Sequence, residues 1–376
     1  MLIKNARIVT YDKVISGDIL IKNKKIAEIG EDLTADCETI DACQNYVIPG
    51  FVDIHVHGGG GYSAMGPTPE DIVNMANAHA KHGTLAIMPT TLTAPTEQLL
   101  TAINAVSQAK NLDCDAEILG IHLEGPFISP EKKGAQSEDD IKLPTKENVE
   151  VLLNASADIC IMGIAPEIEG AFELAKLLKG KNIVASMAHT DATYETATEA
   201  LNHGFSDITH IYNGMTSLHK EGMFRVAGVA EAGIVGDCTA QMIGDLRHLP
   251  EGIVKIIYRA KGADMCYCIT DGLEFSAMDL SENTEVMQKN GQAAKIYNGV
   301  MVLADMSCLA GSVVTMHDCF KNMLKIGITI VDAVKMCSTT PARVAGFGDR
   351  LGQIKPDFDA GLLILDNDYN ISKIII

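Results

Sequence analysis

Between residues 51 and 270 the chain alternates short apolar runs with longer stretches of helical character. The runs fall at 51–57, 84–90, 117–123, 158–164, 182–188, 206–211, 238–243 and 264–270. Eight strands separated by helical stretches are the count of a (β/α)8 TIM barrel, an α/β fold. The two ends read differently. Residues 1 to about 48 form short strand-like segments with turns at Asn23-Lys24 and Gly30-Glu31, and Leu351 to Ile376 reads the same way. Neither end offers much core alone, so the two are expected to pair into one small β-sandwich domain. The expected division is 1–48 and 347–376 for that domain and 49–346 for the barrel.

Polar residues of one chemical kind stand where the apolar runs stop. His55 and His57 end the first run, Glu124 the third, His189 the fifth, His210 the sixth and Asp271 the eighth. In a barrel these positions lie at the C-terminal face, where the chemistry is kept. Side chains at i and i+2 of a strand leave the same face, so His55 and His57 can address one ion. Imidazole suits zinc, iron and nickel, and Gly58 to Gly61 let the chain turn away tightly. Structurally satisfied polar residues are the competing reading, but six ligand or acid/base residues at one end favour a metal site. His79, His82, His203 and His317 lie on helical or loop stretches and read as surface or packing residues.

These residue types suit amide hydrolysis. A metal ion lowers the pKa of its bound water to about 7, so hydroxide is available at neutral pH to attack a carbonyl. Asp271 at the same mouth can accept the water's proton and return it to the leaving nitrogen. A plain ligand or a helix cap is the other reading of that carboxylate.

Composition narrows the partners. The chain has 376 residues, 47% of them hydrophobic, which is ample for a barrel and a smaller domain. Its net charge of −19 argues against nucleic acid. It leaves room for a small anionic substrate in a local positive pocket, because a site answers to its own residues. No apolar run approaches the roughly 18 residues that cross a bilayer, and the N-terminus alternates like a strand, so no membrane partner and a cytoplasmic location are expected. The ten cysteines agree: no CxxC occurs, and Cys266 and Cys268 sit in an apolar run as core residues.

Several longer pieces make the pattern specific. They are Pro49-Gly-Phe-Val-Asp-Ile-His-Val-His-Gly58, His122-Leu-Glu-Gly-Pro-Phe127, Lys132-Lys-Gly-Ala-Gln136, Ala188-His-Thr190, Thr209-His-Ile-Tyr-Asn-Gly-Met215, Thr270-Asp-Gly272 and Leu309-Ala-Gly-Ser312. In this order they resemble the N-acetylglucosamine-6-phosphate deacetylase family of the amidohydrolase superfamily. The resemblance implies deacetylation of N-acetylglucosamine 6-phosphate, with Glu124, His189 and His210 holding the metal that every member needs. It makes His55 and His57 ligands of a second ion that shares Glu124. One or two divalent ions per chain, zinc or iron, and a homodimer follow from the same resemblance.

The resemblance also assigns a donor for the carbonyl oxygen, commonly a histidine after Lys-x-Gly-Ala. Gln136 stands there in this chain and can donate the same bond without carrying charge. For the phosphate, Asn213, Gly214 and His248 match family positions, the histidine being one that reaches across a dimer. The family's Arg-Glu-Pro-Gly stretch is missing from His219 to Arg225, so Lys220, Arg225 or Arg247 is left to take the arginine's part. Glu274 is a further departure, unfavourable to a phosphate if it faces the pocket. These departures keep open another acyl amino sugar, such as N-acetylgalactosamine 6-phosphate or a non-phosphorylated sugar, and also a barrel that binds without turnover. Cyclic-amide hydrolysis usually uses a lysine after the fourth strand, and Ala165-Pro-Glu167 offers none.

Overall fold

The computed structural model describes residues 1–278, 280–281, 284–287, 293–297, 300–306 and 311–376. The Leu309-Ala310 half of the Leu-Ala-Gly-Ser piece lies outside the described residues. Eight barrel positions are filled by β1 (Phe51–Val56), β2 (Thr84–Thr91), β3 (Ile121–Glu124), β4 (Ile159–Ile164), β5 (Val184–Met187), β6 (Phe205–Ile208), β7 (Thr239–Ile243) and β8 (Cys266–Ile269). All neighbouring pairs along this order are parallel. The third run, expected as one strand over 117–123, is two: Glu117–Ile118 pairs with β2, and β3 follows after a break. Gly120 explains the break, because a Cβ there would lie 2.6 Å from the Asp158 carbonyl oxygen. Backbone passes too close at that point for an ordinary strand residue.

The barrel closes at one end only. Between β8 and β1 the Asp271 amide donates to the His55 carbonyl at 3.0 Å and the His57 amide to the Gly272 carbonyl at 2.8 Å. The residues that carry the candidate chemistry therefore also seam the sheet. Below them, Val52, Ile54, Ala86, Met88, Ile161, Ile243, Tyr267 and Ile269 pack as one buried cluster. Strands from opposite sides of the ring meet in it, so it fills the barrel interior and makes a solid floor.

A helix follows every barrel strand: α1 (Pro69–Ala80), α2 (Thr96–Ala109), α3 (Lys146–Leu153), α4 (Ala171–Gly180), α5 (Tyr194–Asn202), α6 (Val229–Val235), α7 (Glu251–Lys261) and α8 (Met316–Lys325). Their starts are written locally. Thr68 and Asp71 form a reciprocal capping box at α1, with Pro69 at the first helical position, and Thr315 and Asp318 do the same at α8. Each box satisfies two orphan amides of the first turn. The β8 to α8 segment carries a small antiparallel sheet of Glu285–Met287, Ala293–Tyr297 and Val300–Leu303.

The two chain ends join in one mixed sheet. Its order is Ile371–Ile375, Leu362–Leu365, Tyr46–Pro49, Leu2–Val9, Val14–Lys22 and Lys25–Gly30, with Thr39–Asp41 also on Leu2–Val9. Its own core contains Ile3, Ile8, Ile19, Ile26, Val47 and Leu362. The expected sandwich is thus hydrogen-bonded as a single seven-stranded sheet, because Leu2–Val9 pairs with Thr39–Asp41 along its first half and with Tyr46–Pro49 along its second. Among the described residues no helix is long and apolar enough to cross a membrane. The nine described cysteines are free thiols, and Cys266 and Cys268 are buried as expected.

Candidate metal centre

Four imidazoles and two carboxylates converge at the closed end of the barrel. His55, His57 and Asp271 form one group of potential ligands, and Glu124, His189 and His210 form the other. The tautomers follow from the partners. His57 Nδ1 lies 3.0 Å from the Thr90 carbonyl, His189 Nδ1 2.9 Å from that of Lys132, and His210 Nδ1 3.0 Å from that of Asn213. A carbonyl only accepts, so each Nδ1 donates and each Nε2 is left to face the site. His55 Nδ1 donates in the same way to Gln241 Oε1 at 2.8 Å.

The spacing of the four Nε2 atoms fits metal ligation. His55 Nε2 and His57 Nε2 stand 3.3 Å apart, as do His189 Nε2 and His210 Nε2. Ligands about 2.0–2.1 Å from a tetrahedral zinc ion are spaced by roughly 3.3–3.4 Å. Glu124 lies between the groups. Its Oε1 is 2.8 Å from His210 Nε2, 3.2 Å from His189 Nε2 and 3.4 Å from His55 Nε2, while Oε2 is 3.3 Å from His57 Nε2. Asp271 Oδ1 is 3.1 Å from His57 Nε2 and 3.5 Å from His55 Nε2. The two groups suit divalent ions, with Glu124 within reach of the histidines of both.

The electrostatics ask for cations. Burial opposes ionisation of Asp271, yet the hydrogen bond from His57 and the charges of His55, His57 and His210 hold its carboxyl down at about 2. Glu124 is likewise held well below the usual carboxylate range by its histidines, against the cost of burial. Burial drives His55 down to about 4, the neutral form a ligand needs, in spite of the two carboxylates. His57 goes the other way, to about 10, because its bonds to Asp271 and Glu124 outweigh burial. The two buried carboxylates therefore draw positive charge to the site, which protons on the histidines or a metal ion supply.

Backbone conformation aims three of these side chains. His189, His210 and Asp271 have φ of 42°, 28° and 48°, the left-handed region that non-glycine residues rarely occupy. Each stands two residues past the last residue of its strand, so the turn swings the side chain over the barrel mouth. Gly214 is fixed by the same crowding: its φ is 59°, and a Cβ would come within 2.9 Å of His189 Nδ1.

Beside the centre is a pocket of about 220 Å³ lined by His57, Glu124, Gln136, His189, His210, Asn213, Gly214, His248 and Asp271, with Leu92, Ile243, Leu273 and Gly311 among its apolar walls. Sequence-predicted residues thus meet at one cavity, and His248 reaches it within its own chain. Gln136 donates from Nε2 to Glu124 Oε2 at 2.7 Å and accepts from the Thr93 amide. Lys220, Arg225 and Arg247 do not line the pocket. The first two sit on the exposed hairpin of His219–Glu221 and Phe224–Val226, and Arg247 is exposed after β7. Glu274 is not on the pocket wall either. Glu167 is occupied elsewhere, accepting from Thr190 Oγ1 and the Asp191 amide.

Sequence reading missed three buried polar residues beneath the ligands. Asp53 accepts from Thr270 Oγ1 at 2.5 Å, Gln241 holds His55, and Asp207 holds Gln241. Their signal was a polar residue within a barrel strand rather than at its end.

Comparison with known proteins agrees with this geometry. A model of the amidohydrolase family matches residues 46–376. The N-acetylglucosamine-6-phosphate deacetylase of Lysinibacillus sphaericus is 31% identical over 362 residues, covering 95% of this chain and 91% of that protein. The N-acetylgalactosamine-6-phosphate deacetylase of Escherichia coli O157:H7 is 30% identical over 331 residues, covering 87% and 85%. A solved mutant of the Mycobacterium smegmatis N-acetyl-D-glucosamine-6-phosphate deacetylase, in complex with N-acetyl-D-glucosamine-6-phosphate, superposes with a TM-score of 0.89 at 26% identity, covering 100% of this chain and 97% of that one. With the barrel, the paired ligand groups and similarity along nearly its whole length, the chain belongs to the N-acetylglucosamine-6-phosphate deacetylase family of the amidohydrolase superfamily.

Proposed function

We propose that this protein is a metal-dependent hydrolase that cleaves the acetamide of N-acetylglucosamine 6-phosphate, releasing acetate and glucosamine 6-phosphate. The observation that carries the reading is the convergence of four imidazole Nε2 atoms and two carboxylates on a pocket lined by Asn213, Gly214 and His248. A bound divalent ion supplies an ionisable water near neutral pH and polarises a carbonyl.

The remaining work falls to the chain. Asp271, ionised and open to the pocket, takes a proton from the water that adds to the acetyl carbon. It returns that proton to the nitrogen as the C–N bond breaks, so the sugar leaves as a neutral amine. Gln136 offers an N–H toward the carbonyl oxygen as charge develops there. His248 and the backbone at Asn213 and Gly214 hold the phosphate. Asp245 orients His248 by accepting from Nδ1 at 2.6 Å, which turns Nε2 to the ligand. Lys220 and Arg225 serve the phosphate through a homodimer, in which the exposed hairpin of one copy reaches the pocket of the next. Zinc or iron, and a cytoplasmic place in amino sugar breakdown, complete the proposal.

A second reading keeps the chemistry and changes the sugar to N-acetylgalactosamine 6-phosphate, favoured by the missing Arg-Glu-Pro-Gly stretch and by the 30% identical relative of that activity. Acetate release, measured as kcat/KM over phosphorylated and free N-acetyl hexosamines, decides between them. The proposal expects N-acetylglucosamine 6-phosphate to rank first, and no release from any sugar would refute it.

A further inference from the structure

Gln241 makes the two ends of its amide unequal, and that inequality reaches the metal centre. Its Nε2 donates to Asp207 Oδ2 at 2.7 Å and its Oε1 lies 2.8 Å from His55 Nδ1. Both side chains are fully buried. Asp207 also accepts from Ser186 Oγ at 2.9 Å, Thr239 Oγ1 at 2.6 Å and Tyr267 OH at 3.1 Å. An acceptor surrounded by four donors leaves the amide one good orientation, with its nitrogen toward the carboxylate.

The other end is then fixed. The oxygen of Gln241 faces His55, so His55 carries its proton on Nδ1 and presents a bare Nε2. A flipped amide would force the proton onto Nε2 and close that ligand position. We infer that Gln241, locked by Asp207, is a positioning residue that selects the ligating tautomer of His55 and so governs whether the second ion binds. This inference rests on the two-ion reading of the centre. The other three histidines are set by backbone carbonyls. His55 alone depends on a side chain, which makes it the ligand whose tautomer a single side-chain substitution can change. Groups that orient ligands in this way typically change metal affinity by about 10–100-fold.

The test is zinc binding by the full-length protein, dialysed against buffered free zinc and read as bound ions per chain. Wild type is expected to fill two sites. Gln241→Leu, which keeps the bulk and loses both bonds, is expected to bind the second ion about 10–100-fold more weakly with the first unchanged. Gln241→Glu is expected to keep the second ion, because a protonated carboxyl offers an acceptor to His55 and a donor to Asp207. Two ions bound as tightly by Gln241→Leu as by wild type would overturn the inference. Loss of both ions would also overturn it, because Gln241 would then support the whole fold. A wild type that saturates at one ion would instead refute the two-ion reading on which it rests.

Discussion

Gln136 donates to Glu124 Oε2 at 2.7 Å, so the glutamine expected over a substrate carbonyl is also tied to the carboxylate shared by both ligand groups. One N–H is committed to Glu124 and the second remains for the pocket. Gln136→Leu should therefore show two losses: metal affinity weaker by about 10–100-fold, and kcat at saturating zinc lower by roughly 10²–10³. Zinc titration and saturated kinetics measure them separately. A variant that loses only metal affinity would assign Gln136 to orientation alone.

The two ligand groups should separate under mutation. His55→Gln with His57→Asn removes two Nε2 donors from one group and leaves Glu124, His189 and His210 intact. The double variant is expected to hold about one ion and keep substantial hydrolysis, whereas Glu124→Gln, which touches both groups, should abolish activity. Metal analysis beside the acetate assay checks this. Loss of every ion in the double variant would place the essential metal at His55 and His57.

Asp271 touches His57 at 3.1 Å and opens to the pocket. Asp271→Asn keeps the shape and removes the proton acceptor, so kcat should fall by about 10²–10⁴ while the ion at Glu124, His189 and His210 stays bound. An unchanged kcat would reduce Asp271 to a ligand or a structural residue.

Phosphate recognition should rank the candidates. His248 lines the pocket and Arg247 does not, so His248→Ala should raise KM for the phosphorylated sugar by the equivalent of about 1.5–3 kcal/mol. The phosphate-free analogue should hardly change, and Arg247→Ala should leave both sugars alone. Lys220→Ala and Arg225→Ala should act only in the dimer. Equal losses on both sugars would mean that the pocket does not read phosphate.

A separate prediction concerns acid stability. The Asp18 carboxylate accepts from Lys4 Nζ at 2.7 Å and from the Asn5 and Leu33 amides at 2.9 Å each. Burial opposes ionisation, but these bonds prevail and set its folded pKa below the ordinary value of 3.8. A depressed folded pKa gives stability that is full above the unfolded value and is lost as pH falls through the folded one. Asp18→Asn should thus cost about 1.5–3 kcal/mol at pH 7 and less at pH 3, by urea unfolding. An equal cost at both would show that the charge contributes nothing.

Much of this was legible because the strand ends announce themselves. His55, His57, Glu124, His189, His210 and Asp271 each stop an apolar run, and all six meet in space. Periodicity could not show the break at Gly120, which depends on the backbone of the neighbouring strand. Nor could it pair Gln241 with His55, 186 residues apart. Lys220 and Arg225 were plausible by charge and by position in sequence, yet the hairpin carries them away from their own pocket. Which basic groups reach a ligand is a question of tertiary placement, and composition is silent on it.

The seam between β8 and β1 is made by main-chain bonds at His55, His57, Gly58, Asp271 and Gly272, backed by the Thr270 hydroxyl on Asp53. Architecture there is written in the peptide groups and reactivity in the side chains that hang from them. The two can therefore diverge: an exchange of the imidazole or carboxylate at His55, His57 or Asp271 redraws the chemistry while the main-chain bonds that shut the ring remain. A lineage built on such a joint is free to change what it does without first relearning how to fold.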